Sequence, residues 1–365
     1  MPRGIHPFCQ PDPRGFLPLS EQPPRRTWIE RNAGALRHNA ALLSERAGGV
    51  SLLAVIKTNA YGHGMTWAAE TLKGQVPGFA VATVEEGIEV RAVAPDHEIV
   101  VLGGAIPGQE GVAAAHNLRL TTFDGLGLDR AVAAGVKTAI KVDLGMHRLG
   151  FALDDLPEQL PEGAWLMGHL PRADDGDPEQ SQPLIATMKR LTHRYPHHPA
   201  SLAGSAALIR FAQARQEWVR PGLSLYGVEH FAGEGAIGVK PVLSWYARVL
   251  QVRDVAPLEY VGYGRHHRLL TASRIAVVGA GYGDGLSRRL GGRGEVVIAG
   301  KRYPVVGVVC MDLLMVDVGH DPVKPGATAT LIGAGIPVAD MALALGTIPY
   351  EVLTAIRSRV IRLDR

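Results

Sequence analysis

Ser51-Leu52-Leu53-Ala54-Val55-Ile56-Lys57-Thr58-Asn59-Ala60-Tyr61-Gly62-His63-Gly64 is the most informative stretch of the chain. The unbroken apolar run from Leu52 to Ile56 reads as a strand covered on both faces. Lys57 then stands at the carboxyl end of that strand, where α/β proteins place their ligands. Asn59, Tyr61 and His63 can hydrogen-bond, and two glycines let the backbone approach a ligand closely. A partly desolvated amine among polar groups suits a Schiff-base lysine, whose pKa must fall for it to serve as nucleophile or base. A lone lysine at a strand end is more commonly a snorkelling side chain. The neighbouring strand ends therefore have to decide.

Outward from this stretch, a strand-then-helix rhythm appears. Strand candidates are 51–57, 78–84, 98–104, 118–124, 138–144, 164–170, 199–205 and 222–227, with helical patterns such as 85–94 and 179–194 between several of them. Eight parallel strands at this spacing predict an α/β fold, a (β/α)8 TIM-type barrel over residues 27–235. A doubly wound open sheet is the alternative, because periodicity does not show closure. From about residue 236 the rhythm changes to strands joined by turns: 242–253, 273–279, 295–299, 303–309, 313–318 and 327–332. One helix near 338–346 and a last strand near 358–363 complete a mainly β C-terminal domain over 236–365. Residues 1–26, with several prolines and glycines and no apolar period, read as an irregular extension.

Composition excludes several classes of function. With 38 basic and 35 acidic residues, the net charge of +3 over 365 residues gives no nucleic-acid or membrane footprint. The two cysteines, Cys9 and Cys310, form no disulfide framework and no metal or redox pair. His193, His197 and His198 lack metal-ligand spacing with an acidic partner, so no metal is expected. No run is long enough to cross a bilayer and no apolar signal region is visible, so cytoplasmic residence is the expectation. Gly279-Ala280-Gly281-Tyr282-Gly283 has the look of a dinucleotide loop but lies in no βαβ unit.

Other strand ends carry polar groups toward the face that holds Lys57. Arg148 follows 138–144, His169 closes 164–170, Ser205 closes 199–205, and Arg220-Pro221-Gly222 introduces the eighth strand candidate. Each alone reads as structural; together on one barrel face they read as a site.

With these motifs in view, the chain resembles the alanine racemase family of pyridoxal-phosphate enzymes from residue 27 to 365. The resemblance rests on Ala54–Gly64, the segment 141–150, Arg220-Pro221-Gly222, Val261-Gly262-Tyr263-Gly264, Gly281-Tyr282-Gly283-Asp284-Gly285, Val309-Cys310-Met311-Asp312 and Tyr350-Glu351. It implies pyridoxal 5'-phosphate as cofactor, an amino acid as small-molecule substrate, and a homodimer whose active sites are shared between subunits. Lys57 would hold the cofactor and act as base on one face of the substrate; Tyr263 of the partner subunit would be the base on the other. Tyr61, Ser205, the backbone of Gly222 and Leu223, and Tyr350 would hold the phosphate as neutral donors. Arg148 and the Met311 backbone would hold the substrate carboxylate, and His169 with Arg148 would ease formation of the Tyr263 phenolate. Arg220 would face the pyridine nitrogen. Because arginine only donates, that nitrogen would stay unprotonated, which favours racemisation over decarboxylation or transamination. Lys141 matches a position that is carbamylated in some relatives.

Departures from the family pattern are Gly204 before Ser205, Leu144, Pro171-Arg172 after His169, and Val308 in place of an entry arginine, with Asp174 and Arg288 left for that gate. These bear on access and preference. They leave open a racemase of broader or serine preference beside one for alanine; a non-catalytic cofactor carrier on the same barrel is the third reading.

Overall fold

The structure, a computed structural model, describes residues 26–174, 179–231 and 236–365. The expected extension therefore lies, except for Arg26, outside the described residues. The strands are β1 (Thr27–Arg31), β2 (Ser51–Val55), β3 (Gly78–Val81), β4 (Glu98–Val101), β5 (Arg119–Thr122), β6 (Lys137–Lys141), β7 (Trp165–Met167), β8 (Ala200–Gly204) and β9 (Trp218–Arg220). They continue with β10 (Leu243–Val255), β11 (Tyr260–Val261), β12 (His267–Arg268), β13 (Ser273–Val278), β14 (Glu295–Ile298), β15 (Lys301–Val306), β16 (Leu314–Gly319), β17 (Thr328–Ile332) and β18 (Ile361–Asp364).

Strands β2 to β9 are parallel and close into a barrel, β9 returning to β2 through Ser51–Trp218 and Leu52–Val219. The (β/α)8 expectation is met, and the open sheet is excluded. Among the helices around it, Ala33–Ala47 shows why the sequence folds this way. Its start is capped by Asn32, whose side chain accepts from Ala35 N at 2.8 Å, and Gly48 ends it at φ 73°. Its buried stripe of Ala35, Leu36, Ala40 and Leu43 packs on the barrel wall.

The eighth strand differs from expectation. Residues 222–227 are not a strand: Leu223–Tyr226 is a 3-10 turn, and the strand is the preceding Trp218–Arg220. Pro221 has no N–H to continue the ladder, although its carbonyl still accepts from Val55 N at 3.0 Å. The apolar Leu223, Leu225 and Tyr226 are buried, but as a turn. Arg220 thus ends the eighth strand instead of introducing it.

The second sheet runs β13-β16-β15-β14-β17-β10-β1-β18, and β10 also pairs with β13, so six of its strands close on themselves. Strand β1, assigned to the barrel half by its position in sequence, lies in this sheet, antiparallel to β10 and parallel to β18. Its inward residue Ile29 is fully buried, in the core that joins the two halves. A second late helix, Pro349–Thr354, was not expected; proline at its first turn suits a helix start. It brings Tyr350 to the barrel mouth. Among the described residues no helix is long and apolar enough to cross a membrane.

Candidate active site

Behind Lys57 the backbone reverses hand. Thr58, Asn59, Ala60 and Tyr61 have φ of 53°, 52°, 52° and 53°, one turn of left-handed helix without a glycine. Such a conformation costs about 1–2 kcal/mol per residue, so it persists only where its surroundings over-determine it. The Glu86 carboxylate accepts from Thr58 N and from Ala82 N, each at 2.7 Å. Asn59 spends its side chain on Met65 N at 2.8 Å. His63, fully buried, lies 3.0 Å through Nδ1 from both the Ala60 and Tyr61 carbonyls. Burial lowers its pKa to about 4, so it is neutral and donates there. Asn59 and His63 therefore build the turn and are not ligand groups.

The reversed turn carries Tyr61 over the barrel mouth. Its ring lies 4.9 Å from that of Tyr226 and 5.8 Å from that of Tyr350. Tyr226 donates to the Val55 carbonyl at 3.0 Å, pinning the end of β2 just before Lys57. On the facing loop, the Ser205 hydroxyl accepts from Gly222 N at 2.8 Å and Ser224 N at 3.4 Å. A Cβ at Gly222 would collide with the Tyr61 hydroxyl, so only glycine lets the backbone come this close to it. Leu223, beside it, is buried. Burial raises the pKa of Tyr61, and burial with the Asp174 charge raises Tyr350 to about 12. Both remain phenols and can act as donors.

On the wall of the same cavity, Arg220 is buried. It donates to the Gly168 carbonyl at 2.6 Å and to the Ser201 hydroxyl. Among the described residues no carboxylate pairs with it, and burial alone lowers its pKa to about 10, so it stays charged at neutral pH. Lys141, at the end of β6, is lowered to about 7 by burial, then by the charges of Arg220 and Arg148. His169 is lowered to about 3 by burial and the cations around it, and is neutral. For Lys57, burial and Arg148 lower the pKa while Glu86 opposes them.

The cavity these groups enclose is about 590 Å³, with Lys57, Lys141, Arg148 and Arg220 all on its wall. Of its carboxylates, Asp143 is spent on the N–H groups of Gly145, Met146 and His147 at 3.0–3.1 Å, which leaves Asp174 at the rim. A chamber walled by these four cations, with the side chains of Tyr61, Ser205 and Tyr350 also on its lining, fits pyridoxal phosphate.

Three expected site residues are not on the lining of this cavity: Leu223, buried beside Gly222, and Tyr263 and Met311. Tyr263, in the turn after β11, is 71% exposed, and Met311 is 55% exposed; neither lines this cavity. They share the β half with exposed Leu258, Tyr260 and Leu270. Within Lys57, Tyr61, Arg148, His169, Ser205, Arg220, Gly222 and Tyr350, by contrast, every residue lines the one chamber. Glu86 and Tyr226 were missed. Glu86 had a signal: Thr83-Val84-Glu85-Glu86 is a capping-box pattern directly after a strand.

The sequence matches the family description "Alanine racemase, N-terminal domain" over residues 32–230 and "Alanine racemase, C-terminal domain" over 242–363. The chain belongs to the alanine racemase family. An alanine racemase of Acidithiobacillus ferrooxidans is 38% identical over 355 residues, spanning 91% of this chain and 96% of the relative. One of Stutzerimonas stutzeri is 38% identical over 344 residues. Among solved structures, the biosynthetic alanine racemase of Pseudomonas aeruginosa superposes with a TM-score of 0.87 at 33% identity, covering 94% of this chain and all (100%) of that one. The Bartonella henselae alanine racemase, solved with covalently bound pyridoxal phosphate, also reaches 0.87, at 26% identity.

Proposed function

We propose that this chain interconverts L- and D-alanine in the cytoplasm, as a pyridoxal-phosphate-dependent homodimer whose sites draw residues from both subunits. When bound, the cofactor supplies an electron-withdrawing ring that acidifies the α-proton of an attached amino acid. Lys57 holds that cofactor and exchanges the α-proton on one face. Its burial beside Arg148 favours the neutral amine that proton removal requires. The hydroxyl of Tyr263 of the partner subunit serves the opposite face, so a proton taken on one side is returned on the other.

Arg148, with the Met311 backbone from across the dimer, orients the substrate carboxylate. Tyr61, Ser205, Gly222, Leu223 and Tyr350 would hold the phosphate, and His169 would be a further cofactor-binding group. Arg220 only donates, which leaves the ring nitrogen unprotonated and the electron sink weak. A weak sink would disfavour transamination. What supports the reading is one cavity lined by Lys57, Tyr61, Ser205, Gly222 and Arg220, with no carboxylate paired to Arg220 among the described residues.

Borohydride reduction of the purified holoenzyme followed by peptide mapping is the test, with racemisation of L-alanine followed by circular dichroism. The cofactor is expected on Lys57; attachment at any other lysine would undo the assignment. A preference for serine, or a broader one, is the second reading, because the unusual Leu144 and Pro171 both line the cavity. Turnover of L-serine or L-lysine above that of L-alanine would decide for it. A non-catalytic carrier is disfavoured by the β half that brings Tyr263.

A further inference from the structure

The left-handed turn is also gripped from outside the barrel. Arg362, on β18, donates through Nε to the Gly62 carbonyl at 2.8 Å. Arg31, on β1, donates through Nη1 to the His63 carbonyl at 2.9 Å. These strands are neighbours, with Ile29 opposite Arg362 and Arg31 opposite Asp364 in parallel register. The two guanidiniums therefore leave one edge of the second sheet side by side. Each is itself anchored. Arg31 is forked onto Asp364 Oδ1 at 2.9 and 2.5 Å and lies 4.6 Å over the Trp67 ring. Arg362 donates in addition to Val360 O at 3.0 Å and Ile356 O at 3.4 Å.

No room is left for slippage at the grip. A Cβ on Gly62, at φ 83°, would meet the Leu353 carbonyl, and one on Gly64 would meet the Arg31 guanidinium. Leu353 belongs to the same short helix as Tyr350. The last residues of the chain thus touch the turn from two sides, and the turn bears four strained non-glycine residues between Lys57 and Gly62.

We propose that Arg362 and Arg31 are positioning residues for the cofactor: by holding the Gly62 and His63 carbonyls they keep the left-handed turn that presents Tyr61 to the phosphate and Lys57 to the aldehyde. This rests on the reading that the cofactor sits on Lys57. Charge-assisted hydrogen bonds to carbonyls are among the stronger ones, and a strained turn released from them relaxes toward ordinary backbone.

The test uses the full-length holoenzyme and three variants, Arg362→Ala, Arg362→Lys and Arg31→Lys. Arg119→Lys is the comparator. Arg119 makes the same kind of bonds, to the Thr138 and Gly163 carbonyls at 3.0 and 2.8 Å, but from the start of β5, at the opposite end of the barrel. Cofactor dissociation is measured by absorbance titration, and amide exchange of residues 60–64 by mass spectrometry in the cofactor-free protein. Arg362→Ala is expected to weaken cofactor binding about ten- to a hundredfold, with partial recovery in Arg362→Lys. It should also speed exchange of the Gly62, His63 and Gly64 amides, while Arg119→Lys lowers the melting temperature and leaves both readouts alone. Should Arg362→Ala fail to fold, the two lysine variants decide by the same readouts. Cofactor affinity and exchange like wild type, or losses no larger than those of Arg119→Lys at equal melting temperature, would overturn the proposal. Borohydride mapping separates the two failures. Reduction at a lysine other than Lys57 removes the underlying reading and this inference with it, whereas reduction at Lys57 with unchanged affinity removes this inference alone.

Discussion

The Arg220 guanidinium lies 2.6 Å from the Gly168 carbonyl, and its neighbours on β8 are also uncharged oxygens, the Ser201 hydroxyl and, at 3.4 Å, the Leu202 carbonyl. A buried cation satisfied only by neutral acceptors offers a ring nitrogen a donor and no proton acceptor. Arg220→Glu reverses this, giving a carboxyl group that can share a proton with the ring. Racemisation is expected to fall about a hundredfold, the scale of losing one preorganised electrostatic group. Pyruvate release on long incubation with alanine, the mark of transamination, should become measurable. Unchanged turnover with no pyruvate would show that the ring does not face this residue.

Tyr263 and Lys57 cannot meet within one chain as it stands, since Tyr263 is exposed and outside the cavity. Subunit mixing tests whether they meet across a dimer. Tyr263→Phe is expected to keep the cofactor absorbance of wild type and lose most racemisation, and Lys57→Ala to be inactive. Unfolding and refolding the two together should restore about a quarter of wild-type activity, because half the dimers are mixed and each of those has one intact site. No recovery would place both bases in the same subunit.

A Cβ added at Gly222 would meet the Tyr61 hydroxyl. Gly222→Ala sets a methyl group against that hydroxyl. The cost expected for such overpacking is about 1–3 kcal/mol, and it should fall on cofactor affinity. Overall stability should fall less, because the clash is with the far end of the Tyr61 side chain, which can give way. Equilibrium dialysis against pyridoxal phosphate, set beside a denaturant melt of the cofactor-free protein, separates the two. A large loss of stability with cofactor affinity intact would count against the phosphate cradle.

Much of this arrangement was legible in the residues themselves. The apolar run before Lys57 and the spacing of the later strand ends gave the barrel, because a strand covered on both faces has to be apolar throughout. Arg148, His169, Ser205 and Arg220 could be placed on one face for the same reason. The hand of the turn after Lys57 could not be read. Thr58, Asn59, Ala60 and Tyr61 have no local preference for positive φ strong enough to announce it, and the groups that impose it are Glu86, Arg31 and Arg362, the last about 300 residues away. The eighth strand was misplaced because Leu223, Leu225 and Tyr226 are as apolar as strand residues but lie beyond Pro221. Strand β1 was misassigned because its partners, β10 and β18, come from the far end of the chain.

Lys141 yields a prediction whose sign follows from its surroundings. Burial, Arg220 and Arg148 hold its pKa near 7, against an ordinary 10.5, with only Asp143 opposing them. Between these values the unfolded chain carries the proton and the native chain does not, so stability rises with pH across that window. The cost of burying the charge is present in full below about pH 7 and absent above 10.5. Lys141→Met should therefore flatten the pH dependence of the denaturant midpoint from neutral to alkaline conditions and raise the midpoint at pH 7 and below. The same lowered pKa leaves much of the amine neutral near pH 8, where it can add carbon dioxide. The resulting carbamate is an anion set beside two arginines. Carbon-13 NMR with labelled bicarbonate is expected to show one carbamate resonance in wild type that is lost in Lys141→Met, with turnover rising as bicarbonate is added. A resonance that survives the substitution would assign the adduct to another amine. A Lys141→Met protein with the wild-type pH slope would show that Lys141 is solvated and ordinary.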